Sequence, residues 1–167
     1  ALQKPLENFG FPRCLHGLSA NFFDQPDNYD VFGEIRKHNE RIKRFLGTHN
    51  NALLMTYPDN GYIGWHHNGN APGHNILLTY SQDGDGYFKY YDQKSKEFVI
   101  MPDRKGWSAK VGYYPSERKT PNEVFWHCAQ TKKQRITLAY VFTDKSLWHN
   151  LIHELTGGEY DKDVVEQ

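Results

Sequence analysis

The sequence predicts a mainly β fold, a jelly roll of the double-stranded β-helix type with flanking α-helices. Three observations predict it. From Ala52 to Phe142, short apolar and aromatic stretches alternate with Gly-, Pro- and Asp-containing turn signals. Aromatic residues make up 15% of the chain, led by 11 Tyr and 10 Phe, types that suit a pleated, half-buried surface. Helical periodicity is confined to one segment before this region and one after it. A length of 167 residues with 38% hydrophobic and 24% charged content fits one globular domain and excludes a disordered chain.

The elements follow in order. Residues 1–26 carry Pro5, Pro12 and Pro26 and read as an irregular arm. Residues 27–46 read as an amphipathic helix, with Phe32, Ile35, Ile42, Phe45 and Leu46 on one stripe and Arg36, Lys37, Glu40, Arg41 and Arg44 opposite. Asp27 or Asn28 is suited to cap its start, and Gly47 to end it. Eight strands are expected within the 52–142 core. They are Leu53–Tyr57, Tyr62–His67, Asn75–Tyr80, Tyr87–Tyr91, Glu97–Met101, Lys110–Tyr114, Val124–Ala129 and Arg135–Phe142. A second helix over 146–156 presents Leu147, Trp148, Leu151, Ile152 and Leu155, and Gly157-Gly158 stop it before a charged tail.

Composition also narrows function. Twenty basic residues balance twenty acidic ones, which argues against a broad basic field for nucleic acid. Cys14 and Cys128 form no CxxC motif, so a reducing, cytoplasmic setting is expected. No run approaches the ~18 apolar residues of a membrane helix, and no membrane partner is expected.

Nine histidines raise the question of chemistry. In Gly64-Trp65-His66-His67-Asn68, strand alternation puts His66 and Asn68 on one face and Trp65 and His67 on the other. A histidine and an oxygen donor at i and i+2 are a candidate metal-ligand pair. His127 follows in Phe125-Trp126-His127-Cys128, and Arg135 opens the last strand eight positions further on. Arg135, Thr137 and Ala139 share one face of that strand, while Ile136, Leu138, Tyr140 and Phe142 share the other, apolar one. A buried Arg needs an anion, and no Asp or Glu close in sequence supplies one, so a bound carboxylate is expected. Blander readings hold elsewhere. His149 and His153 sit off the apolar stripe, Asp83-Gly84-Asp85-Gly86 reads as a hairpin turn, and Cys128 as a core thiol. The basic stretch including Lys89, Arg104, Lys105, Trp107 and Lys110 reads as a solvated loop face.

This order of residues resembles the iron(II)- and 2-oxoglutarate-dependent dioxygenases, whose pattern is HxD, a later His, then an Arg, carried on a cupin-like jelly roll. The resemblance covers about residues 52–142 and includes the glycine-containing hairpin near Gly84. It implies His66 and His127 as iron ligands, Asn68 in the carboxylate position, and Arg135 as the partner of the distal carboxylate of 2-oxoglutarate. Tyr57, nine residues before His66, resembles a co-substrate contact of DNA-alkylation-repair members, and Thr137 is placed in the same pocket. The implied activity is an oxygenase that decarboxylates 2-oxoglutarate to succinate, acting on a peptide, a nucleobase or a small molecule. Asn68 departs from the family's Asp. Two alternatives follow: a non-catalytic binding module that lost its carboxylate, or a register with His67 as ligand and Gly69 in the vacant position, as in HxG halogenases.

Overall fold

The computed structural model describes residues 14–19, 29–116, 118 and 123–158. Within these lie strands β1 (Leu15–His16) and β2 (Leu18–Ser19), helix α1 (Tyr29–Leu46), and strands β3 (Asn50–Tyr57), β4 (Tyr62–His66) and β5 (Gly73–Ser81). Next come β6 (Tyr87–Asp92), β7 (Glu97–Pro102), β8 (Gly106–Tyr114), β9 (His127–Gln130), β10 (Arg135–Phe142) and helix α2 (Lys145–Thr156). The proposed caps Asp27 and Asn28, most of the arm, the side chains of Phe32 and Ile35, and the tail from Glu159 lie outside the described residues.

Two five-stranded antiparallel sheets form the jelly roll. One runs β1-β4-β9-β6-β7 and the other β2-β3-β10-β5-β8. Residues 14–19 are not irregular as expected: β1 joins the first sheet beside β4, and β2 joins the second beside β3. Gly64 makes the first junction possible. Its N–H donates to the Cys14 carbonyl at 2.8 Å, and a Cβ there would stand 2.9 Å from that oxygen.

The apolar face of β10 packs as its alternation predicts. Tyr140 and Phe142 join Ile76, Leu46, Trp148 and Ile152 in a core beneath the two helices. Between the sheets, Met55, Tyr57, Ile63 and Ala129 form a second cluster, and Leu77, Phe88, Tyr114 and Ala139 a third. Two stripe residues depart from expectation. Phe45 is 84% exposed and Leu155, in the last turn of α2, 56%, and neither joins the buried cluster beneath the helices. An unpredicted polar pin fastens α1 instead. The Asn39 and Asn51 amides exchange hydrogen bonds of 2.9 and 3.0 Å, and the Tyr140 hydroxyl donates to Asn39 Oδ1 at 3.0 Å. Helix α2 opens on Asp144, whose carboxylate accepts from the N–H groups of Ser146 and Leu147, and ends on left-handed Gly157. Among the described residues no helix is long and apolar enough to cross a membrane.

Candidate metal and anion site

A cavity of about 170 Å³ opens between the sheets, and each sheet gives it a different chemistry. The first sheet supplies two imidazoles. His66 at the end of β4 pairs across the ladder with His127 at the start of β9, and their ring centroids stand 4.1 Å apart. The second sheet supplies the cation: Arg135 and Thr137 from β10, beside Tyr57 from β3.

Both imidazoles are buried and held the same way. His66 Nδ1 meets the Gly64 carbonyl at 2.8 Å, and His127 Nδ1 meets the Phe125 carbonyl at 2.8 Å. A carbonyl only accepts, so each Nδ1 carries the proton and each Nε2 keeps its lone pair. Such backbone-held tautomers are the usual setting of metal-ligating histidines. Burial depresses both rings, His66 to about 4 and His127 well below the ordinary range, the latter also disfavoured by the charge of His66. Stability should respond to pH accordingly. The unfolded chain takes up these protons near pH 6.5, whereas folded His66 resists until about 4. The stabilising effect is therefore complete above pH 6.5 and is lost as pH falls through that window. Urea titrations of metal-free protein should show a loss on the order of 3 kcal/mol from His66 alone between pH 7 and 4. A His66→Asn variant should show a correspondingly flatter pH profile.

The third position differs from expectation in its backbone. β4 ends at His66, and Asn68 stands just beyond it in a turn closed by the Ala71 N–H on the Asn68 carbonyl at 2.8 Å. Its side chain is half-buried and still lines the cavity. Among the described residues no group of three or more His, Cys, Asp or Glu assembles, so the donor set is two imidazoles and a neutral amide. That set fits a divalent ion of borderline softness, with exogenous ligands completing the shell. His67 goes elsewhere. Its ring packs edge-on against Trp126 at 4.8 Å, its Nδ1 accepts from the Gly69 N–H, and it does not line the cavity. Trp65 likewise turns outward, onto Phe98.

Arg135 overturns one expectation, because it has a protein partner. Its Nε donates to Asp103 Oδ2 at 2.7 Å, and Lys110 Nζ donates to Asp103 Oδ1 at 2.7 Å. Lys110 is thus buried at 9% exposure rather than solvated. Burial would raise the Asp103 carboxyl, but Arg135 and then Lys110 outweigh it and hold the group below its usual range. Gly86 admits this carboxylate: a Cβ there would fall 2.5 Å from Asp103 Oδ2. Arg135 Nη1 donates to Thr137, its guanidinium lies 5.3 Å over the Tyr57 ring, and its buried Nη2 has no hydrogen-bond partner. Burial pushes the Tyr57 hydroxyl up to about 12 despite the Arg135 charge, so it stays protonated.

Sequence reasoning missed four residues here: Asp103, Lys110, Tyr114 and Asn75. Alternation carries a signal for three of them. Val99, Met101 and Asp103 share a parity along and just past β7, and Lys110 and Tyr114 share one on β8 once that strand starts at Gly106. Tyr114 sets its ring edge against His127 at 5.2 Å, and buried Asn75 fixes its amide on the Gly73 carbonyl. Cys128 also contributes to the lining, its thiol pushed up to about 11 by burial.

Fold and site together define a jelly roll with a histidine pair and a buried cation facing one intersheet cavity. No protein-family model matches the sequence, and no curated protein is detectably similar to it. Among solved structures, Peruvianin-I, a cysteine peptidase from Thevetia peruviana latex, matches with a TM-score of 0.36 and 8% identity. The match covers 55% of this chain and 50% of that one, and a likeness at this level carries no argument about fold or activity.

Proposed function

We propose that the chain is an iron(II)- and 2-oxoglutarate-dependent oxygenase. One observation carries the reading: two backbone-held imidazoles and an Arg with an unpartnered buried nitrogen line the same cavity from opposite sheets. His66 and His127 hold the metal through Nε2, with the Asn68 amide beside them. Arg135 Nη2 receives the distal carboxylate of 2-oxoglutarate, oriented by Thr137 and by the Tyr57 hydroxyl, which burial keeps protonated as a donor. When loaded, such a centre supplies dioxygen activation coupled to decarboxylation of 2-oxoglutarate to succinate and carbon dioxide. Leu77, Phe88, Ala129 and Ala139 exclude water from the cavity walls. At about 170 Å³ the cavity is below the ~300–1,000 Å³ of pockets for drug-sized ligands, so the primary substrate is met at its mouth.

Asn68 favours a second reading, a binding module that keeps the ligand and lacks the charge needed to retain iron. Anaerobic iron loading, addition of 2-oxoglutarate, admission of oxygen and measurement of succinate separate the two. The oxygenase reading expects succinate from the native chain, little from His127→Ala, and more from Asn68→Asp at limiting iron. Turnover by Asn68→Asp alone points to the binding module.

A further inference from the structure

We infer that Lys110, which lies outside the cavity lining, sets the charge of the cavity and thereby makes it an anion site. This role rests on the carboxylate site proposed above. Arg135 and Lys110 share one carboxylate, that of Asp103, and the three side chains are 1%, 9% and 0% exposed. Among the described residues neither cation meets a second acid. The buried group therefore carries one net positive charge, and an uncompensated charge removed from water is costly until an anion joins it.

The geometry fixes where that anion goes. Asp103 places one oxygen on Arg135 Nε and the other on Lys110 Nζ, so its charge is divided between the two cations. Thr137 occupies Arg135 Nη1, and Nη2 is left as the buried donor without a partner. Without Lys110, the Asp103 carboxylate would neutralise Arg135 outright. The cavity would keep the same walls and the same guanidinium but lose its reason to take up a carboxylate. Lys110 is thus a positioning residue, acting on the ligand through Asp103 and Arg135.

A charge-balance series tests this, with glutarate titrated calorimetrically into the metal-free full chain. Glutarate keeps a terminal carboxylate but lacks the chelating keto-acid end, so the readout does not depend on the metal. Lys110→Met should weaken glutarate binding by about tenfold, as expected for loss of one nearby buried charge. Asp103→Asn should strengthen it, and the double variant Lys110→Met/Asp103→Asn, which restores one net positive charge, should return near native affinity. Opposite signs for the single variants and recovery in the double distinguish charge from structural damage, and the double variant serves even if Asp103→Asn fails to fold. Native-like binding by Lys110→Met while Arg135→Gln binds nothing would overturn the role of Lys110 and leave the carboxylate site standing. A double variant as weak as Lys110→Met would also overturn it. No saturable glutarate binding by the native chain would remove the carboxylate site itself.

Discussion

Replacing His127 or His66 by Ala is expected to lower iron(II) affinity by more than about 100-fold, while His67→Ala changes it by less than about twofold. Loss of an outer-shell partner alone commonly costs ~10–100-fold, and removal of a ligand should exceed that. The expectation follows from the proposed site, because the two rings need no rearrangement to present both Nε2 atoms. Each Nδ1–H is committed to a carbonyl two residues back, so neither tautomer nor ring orientation needs to change on binding. Burial keeps both rings neutral near pH 7, so no proton must leave first. With a neutral amide at Asn68, no carboxylate among the described residues shares the load, and each imidazole supplies more of the binding energy. Cobalt(II), inert to the oxygen chemistry, reports the same site by its visible spectrum. If His67→Ala abolished binding and His66→Ala did not, the shifted register with Gly69 would be the correct one.

What the sequence made legible follows from periodicity, and what it hid follows from distance along the chain. The β10 pattern separates Arg135, Thr137 and Ala139 from Tyr140 and Phe142, and the structure sends the first set to the cavity and the second beneath the helices. The same two-residue rule separates His66 from His67. Local rules do not say which residues meet across two sheets. Asp103 reaches Arg135 over 32 positions, and in the sequence it stands beside Pro102 as an ordinary turn former. Asn39 reaches Tyr140 over 101 positions, from the middle of a helix whose stripe gives no hint of a buried amide. Strand ends were blurred for a related reason. β9 begins at His127, because the Trp126 N–H turns back onto the Val124 carbonyl at 3.1 Å, and β8 begins four residues early, because nine registered pairs with β5 carry it down to Gly106.

Asp103→Ala is expected to destabilise the fold by about 3–5 kcal/mol at pH 7, the usual cost of breaking a buried ion pair from one side. Here the cost should sit at the upper end. One side chain satisfies two cations, and its removal leaves Arg135 and Lys110 buried together with like charge. Lys110→Met should cost much less, because the Asp103–Arg135 pair it leaves is balanced and the Met side chain fills similar space. Adding Lys110→Met to Asp103→Ala should therefore recover part of the lost stability, a sign reversal that lost packing alone would not produce. Acid should mimic the first substitution. Asp103 is held below its usual range, so its contribution is complete above the ordinary carboxylate pKa near 3.8 and is lost as pH falls through its lower folded value. Urea midpoints for the two single variants and the double variant at pH 7 measure all three terms. Equal losses from Asp103→Ala and Lys110→Met, with no recovery in the double variant, would mean that packing rather than charge holds this end of the jelly roll together.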